Sequence, residues 1–295
     1  MWFRHLRPYQ LQQPITPAAE QLQQSLEQYQ FQPCSATQKI SIGFVPPLPE
    51  GSALYYRAGH SILITVRIQE RLLPAAVVKD EVEERRQVIE AETGQPISAR
   101  EKRALKTMVE EELLPKAFCR SRRIAAFWND EHNLLVVDTT VASRAEAILG
   151  LLRQALGSLP VKPWPFTSSP AKAMTRWWQQ GSMPEEWTLG DEIEGIDSTD
   201  VQRKWRYKGF AENDPLLAHL FDDNILVQKT KLTWRDALTL VATSDGMLTR
   251  LQWPDNIKEE SKVDDPTEAA AHTFAVMQHQ LCALWHDFVS LIEHG

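Results

Sequence analysis

Apolar and polar positions alternate through residues 2–11, which predicts a strand near the start of the chain. Thr16 followed by Pro17 reads as a helix start, with Thr16 as N-cap and Pro17 at the first helical position. Leu22, Leu26 and Tyr29 then recur at helical spacing. Residues 39–45 and the β-branched stretch 61–68 predict two more strands. Over residues 77–114 the pattern changes: charge density rises and aromatic residues vanish. Two helices fit there. One ends near Gly94; the other starts at Ser98, has a capping box completed by Glu101, and stops at Pro115. The pattern is that of a helical hairpin inserted into a β-rich segment.

Residues 124–128 and 134–140 predict a hairpin across the polar turn 129–133. Ser143 reads as the cap of the next helix, with Glu146 at its third position, Ile148, Leu151, Leu152 and Ala155 on one face, and Gly157 as its stop. Four prolines within residues 157–170 mark a joint. Beyond it, residues 224–234 predict a strand and 236–253 a hairpin turning at Asp245-Gly246, a type I′ signal. Phe274, Met277, Leu281, Leu284, Phe288 and Leu291 then form an apolar stripe along a long helix at 267–294.

Length and composition refine this picture. A chain of 295 residues is long for one core, so two or three packed units are expected. Hydrophobic content of 43% and charged content of 24% fit a globular chain. Arg4 and Arg7 interrupt the N-terminal segment, which is therefore not a signal peptide. No apolar stretch approaches a bilayer span. Cys34, Cys119 and Cys282 lie far apart, which fits a reducing cytosol rather than a disulfide framework or zinc ribbon.

The net charge of −7 opposes a nucleic-acid role until the charges are located. Residues 116–123 hold four cations and no carboxylate, and so do residues 203–208. Residues 254–295 hold eight carboxylates against two cations. The distribution is segregated, and local charge decides what a surface attracts.

Among chemistry-bearing patterns, no Walker loop, dinucleotide fingerprint, nucleophile elbow or zincin helix occurs. Pro254-Asp255 with Glu260-Ser261-Lys262 mimics a nuclease motif, but it falls in a polar loop rather than on paired strands. His272, His279 and His286 share a helix face, yet seven-residue spacing puts neighbours roughly 10 Å apart, too far for one metal ion. No catalytic residue, metal site or cofactor is expected.

Two positive candidates remain. Lys116, Phe118, Arg120, Arg122 and Arg123 combine cations with an aromatic, as phosphate attraction plus base contact requires. Composition alone leaves open whether Phe118 is instead a core anchor. In the second, Arg203, Lys204, Arg206 and Lys208 interleave with Trp205 and Tyr207. On a strand, Lys204, Arg206 and Lys208 share one face while Arg203, Trp205 and Tyr207 share the other. One face could meet nucleic acid while the other packs; a charge-guarded edge strand is the alternative.

Several stretches in order are similar to the RdgC family of recombination-associated proteins. They are Trp2-Phe3 with Leu6 and Tyr9, Gly43-Phe44-Val45-Pro46-Pro47, the run from Leu113 to Arg120, and Leu156 to Val161 with Pro163. The C-terminal half matches more loosely, around Lys229 to Trp234 and the Asp245-Gly246 hairpin.

The resemblance implies an α+β fold with a β-rich central domain (1–76 and 117–163), a helical tip (77–116) and an α+β base domain (164–295). It further implies a homodimer closed into a ring, to which the apolar stripe of the last helix also points. DNA, double- or single-stranded, would pass through a positively lined hole without regard to sequence, and access of the RecA recombinase would be limited. Phe118 would occupy the family's finger position, while Arg203 to Lys208 match the base-domain basic stretch approximately. A cytoplasmic, nucleoid-associated protein that is not an enzyme is the expectation. The alternatives are a metal-dependent nuclease, for which Asp138 is the one plausible strand carboxylate in the first half, and an acidic protein-interaction scaffold.

Overall fold

The N-terminal alternation folds as β1 (His5–Leu11), in which Leu6, Tyr9 and Leu11 are buried. The computed structural model describes residues 2–15, 17–181, 183–200, 202–210, 225–260 and 263–294. In chain order β1 is followed by α1 (Ala19–Glu27), β2 (Ile40–Val45), β3 (Tyr55–Ala58) and β4 (Ser61–Leu72). Helices α2 (Ala75–Thr93) and α3 (Ala99–Leu113) come next, then a 3-10 turn (Leu114–Lys116), β5 (Phe118–Asn129), β6 (Leu134–Val137), α4 (Ala142–Leu156) and β7 (Val161–Pro163). The remainder is α5 (Pro170–Gln180), β8 (Trp187–Asp197), β9 (Lys204–Lys208), β10 (Ile225–Trp234), β11 (Leu238–Thr243), β12 (Leu248–Gln252), α6 (Asp255–Glu260) and α7 (Pro266–His294). The fold is thus α+β, with a large antiparallel sheet and seven helices among the described residues.

The chain forms two compact units. The first comprises Met1–Gln28, Pro46–Thr65 and Ala125–Gly295; the second comprises Tyr29–Val45 and Val66–Ile124. In the first unit, strands run in the order β6-β1-β12-β11-β10-β8-β9. Helix α7 supplies Phe274, Met277, Leu281, Leu284, Phe288 and Leu291 to the core with Phe3, Phe127 and Trp234. Edge-on ring contacts lock that core, with Phe127 and Phe274 centroids 5.9 Å apart. The apolar stripe is therefore consumed inside its own chain. It gives no support to a dimer, contrary to the sequence expectation, because a stripe does not reveal which copy buries it.

In the second unit, the outer half of β4 lies between β2 and the outer half of β5, and α2 packs on α3 through Val78, Val82, Leu105 and Val109. The hairpin follows its sequence signals. Gly94 closes α2 at φ 69°, and Ser98 with Glu101 forms the capping box of α3. Gly43 allows residues 29–31 to approach β2; a Cβ there would overlap the Phe31 backbone.

Four local expectations need correction. Helix α1 starts at Ala19 with Ala18 as N-cap, so Pro17 precedes the helix; Thr16 lies outside the described residues. Helix α4 is preceded by Val141, so Ser143 sits inside its first turn, and Glu146 accepts a hydrogen bond from the Tyr9 hydroxyl at 3.4 Å. At the β11–β12 turn only Gly246 has positive φ, at 78°. Its amide donates to Thr243 at 2.9 Å, which makes a type I turn with a left-handed glycine rather than type I′. Asp255 and Glu260 belong to the short helix α6, not to a loop; Ser261 and Lys262 lie outside the described residues.

Candidate nucleic-acid interface

The first basic cluster begins where α3 ends. Pro115 stops the helix, the 3-10 turn reverses the chain, and β5 starts at Phe118. The first four residues of β5 are exposed and its last six are buried, so one strand carries a solvent-facing half and a core half. Phe118 is 84% exposed, which removes the core-anchor reading. Strand alternation puts Phe118, Arg120 and Arg122 on one side and Cys119, Ser121 and Arg123 on the other. Phe118, Arg120 and Arg123 are exposed and Arg122 is half-buried, while Lys116 stands 3.9 Å from Glu112. The predicted set is therefore one cluster in place but two faces in orientation.

Two arginines that sequence reasoning missed build this cluster. Arg67 lies 4.7 Å above the Phe31 ring and donates to the Ser121 hydroxyl at 3.0 Å, adding a cation to the Ser121 side of β5. Arg71 organises the turn. Its Nη1 donates to the carbonyls of Leu114, Pro115 and Ala117 at 3.3, 3.1 and 3.2 Å. Its Nη2 reaches the carbonyls of Cys34 and Ser35 at 3.5 and 3.2 Å. One planar fork thereby ties five carbonyls around the chain that presents Phe118. In the sequence both are isolated arginines in a strand, and nothing local marks them.

The second cluster lies in the other unit, on β9. Its register pairs Glu192 with Lys208, Glu194 with Arg206 and Gly195 with Trp205. As predicted, Lys204, Arg206 and Lys208 face solvent while Trp205 and Tyr207 are half-buried. Gly195 has no Cβ because the Trp205 ring crosses it; an added Cβ would overlap the ring. Tyr207 stacks on Phe210 with centroids 5.0 Å apart. These aromatics pack inward, so they are not a base-stacking platform.

The cations are compensated in part. Glu192 is buried and meets Arg206 at 2.7 Å, Lys208 at 3.0 Å and Arg250 at 2.8 Å. Burial pushes the Glu192 carboxyl up, but hydrogen bonds from Arg250, Arg206 and Lys208 outweigh it and hold the group at about 2. Glu194 pairs with Lys229 at 3.0 Å, and Arg203 lies 3.4 Å from Asp200 and 3.8 Å from Asp197. Lys204, Arg206, Lys208, Lys229 and Arg250 still outnumber Glu192 and Glu194, which leaves the face positive. Sequence reasoning missed the buried carboxylate, because Glu192 stands on a separate strand eleven residues upstream of the basic run.

Asp138 follows β6, and its Oδ1 accepts the backbone amides of Arg4 at 3.1 Å and His5 at 2.8 Å. Burial raises its carboxyl to about 6, against the pull of the His5 and Arg4 amides. His279 and His286 line a hollow of about 410 Å³ with His60 and His132. Among the described residues, no three His, Cys, Asp or Glu side chains are placed to hold one metal ion. No helix among them is long and apolar enough to cross a membrane.

Comparison with known proteins bears on what these clusters serve. Residues 1–294 match a family model described as "Putative exonuclease, RdgC". A recombination-associated protein RdgC of Haemophilus influenzae (strain PittGG) is 36% identical over 264 residues, covering 88% of this chain and 86% of the relative. One from Aeromonas hydrophila is 35% identical over 286 residues, covering 95% and 94%. One from Shewanella putrefaciens is 34% identical over 297 residues, covering 99% and 97%.

Proposed function

This chain belongs to the RdgC family of recombination-associated proteins, and on that premise we propose that it is a non-enzymatic, sequence-tolerant DNA-binding protein. It acts as a homodimeric ring around double or single strands, associates with the nucleoid in the cytoplasm, and limits access of RecA to DNA. The observation that carries the reading is Phe118: a large aromatic, 84% exposed, held at a strand start after Lys116, with Arg120 and Arg122 on its own side of β5. Exposing such a ring costs solvation, and a base offers it a stacking surface while the cations meet phosphates. The positive face of β9 adds phosphate contacts without base readout.

The test is the salt dependence of DNA affinity, with sedimentation equilibrium on the same samples. Lys204→Ala should make the slope of log affinity against log salt shallower by about 0.9 for duplex DNA, equally for unrelated sequences. Adding Arg206→Ala should change the slope by less than a second full contact, because Glu192 already neutralises part of that guanidinium. Unchanged slopes, or a loss confined to one sequence, would remove the sequence-tolerant reading. Monomers alone at micromolar concentration would remove the ring.

The family model's description favours a second reading, an exonuclease, with Asp138 as its strand-end carboxylate. Asp138→Asn separates the two. Because the folded pKa stands at about 6, above the ordinary 3.8, the native state binds more protons than the unfolded one between those values. The group's stabilising contribution is thus full below pH 4 and lost as pH rises through 6. Asparagine can still accept the two amides and carries no charge. The variant should therefore be at least as stable as the parent at pH 8, by up to about 3 kcal/mol, with the gain vanishing near pH 4. Magnesium-dependent shortening of end-labelled DNA by the parent, abolished in the variant, would establish the nuclease instead.

A further inference from the structure

The two helices of the hairpin close against each other on one side and leave a groove on the other. The groove encloses about 810 Å³ and lies wholly within the second unit, between the α2–α3 pair and the edge formed by β2 and β4. Its floor is aliphatic: Val78 and Val82 from α2, Leu114 after α3, and Ile40 at the start of β2. Ile40 is 59% exposed, an unusual state for a β-branched residue beside an apolar floor.

The rim has a different character. Lys79 from α2 and Lys102, Arg103 and Lys106 from α3 line it, spaced on α3 so that they share a face. Two carboxylates, Glu70 and Glu110, also line it. Glu110 is spent on the rim's own cations, Lys39 at 3.2 Å and Lys106 at 3.7 Å. Hydrogen bonding from Lys39 holds the Glu110 carboxyl below the usual range. An aliphatic trough edged by an excess of cations is therefore left open.

We propose that this groove is a docking site for an acidic amphipathic peptide segment of a partner protein. Charge complementarity selects carboxylates for the rim, and the trough selects apolar side chains on the opposite face of the same segment. The chemistry argues against nucleic acid as occupant. Among the described residues no aromatic ring lines the groove, so bases would find nothing to stack on, and the aliphatic floor would stay unused. The site is separate from the Lys204 face and does not use Phe118, so it stands or falls independently of the DNA-binding reading.

The experiment is fluorescence anisotropy with the full chain and three labelled helical peptides. One has leucines on one face and glutamates on the other; the second replaces the leucines by serines; the third replaces the glutamates by glutamines. The first should bind saturably, and each of the others should lose at least about tenfold in affinity. Lys102→Glu combined with Arg103→Glu should weaken the first peptide by at least about tenfold, since both changes reverse the rim charge. Ile40→Ser should weaken it without altering the rim. Thermal unfolding of each variant should match the parent. Equal binding of the serine peptide, or no binding by a folded parent, would overturn the proposal. So would loss of oligonucleotide binding in the rim variant, which would make the groove a nucleic-acid surface. A shift of the rim variant from dimer to monomer, with no peptide bound by the parent, would assign the groove to a second copy and overturn it as well.

Discussion

Phe118→Ala is expected to weaken DNA binding by about 1–3 kcal/mol, roughly 5- to 150-fold, while leaving the unfolding free energy within about 0.5 kcal/mol. Both halves follow from one number: Phe118 is 84% exposed, so its ring has almost no packing inside the fold to lose. Whatever it contributes must come from something bound. The effect should be insensitive to salt, because the ring neutralises no phosphate, and the salt slope of the variant should parallel the parent's. Phe118→Trp should retain binding, and Phe118→Leu should fall between parent and alanine, since stacking follows ring area. Paired titrations of DNA binding and urea unfolding decide the matter. Normal binding by a variant that unfolds earlier would return Phe118 to a structural role.

The elements that sequence made legible are those whose signals are local. The capping box at Ser98 and Glu101 and the left-handed stops at Gly94 and Gly157 need only a few neighbouring residues, and each stands where expected. The alternation of β9 was equally readable, and with it the exposure of Lys204, Arg206 and Lys208. Strand β5 was harder. Its first half was hidden because exposed Arg120 and Arg123 break the apolar signal that its buried half, from Ile124 on, displays.

Partnerships were illegible. Whether the α7 stripe faced another copy or its own sheet could not be read from periodicity, which encodes a face and not its occupant. The buried Glu192 beneath the basic run was invisible for a related reason: antiparallel pairing with β8 brings it there, and pairing is decided by the whole sheet. Sequence charge counts therefore overstated the free positive charge of residues 203–208. The same limit hid Arg71, whose five acceptors come from residues 34–35 and 114–117 and share no pattern with it.

Arg71 is where the largest loss of stability in the second unit is expected. Arg71→Ala should cost about 3 kcal/mol, because bonds from a charged donor to carbonyls are worth about 1.5–3 kcal/mol each but overlap in a shared fork. Arg71→Lys should cost nearly as much. An ammonium is a point donor with three hydrogens, and it cannot reach Leu114, Pro115 and Ala117 on one side and Cys34 and Ser35 on the other. That near-equality separates a geometric role from a purely electrostatic one. The damage should be local first. Amide hydrogen exchange should accelerate across residues 114–118 while the core of α7 in the first unit keeps its protection. DNA affinity should fall with it even though the Arg71 guanidinium is spent on carbonyls rather than phosphates, because the turn it ties is the one that aims Phe118. In a double-mutant cycle, Arg71→Lys and Phe118→Ala should then be strongly non-additive for binding and additive for stability. Additive losses of binding would show that Phe118 is positioned without Arg71, and unchanged binding by Arg71→Lys would reduce Arg71 to one more cation on the surface.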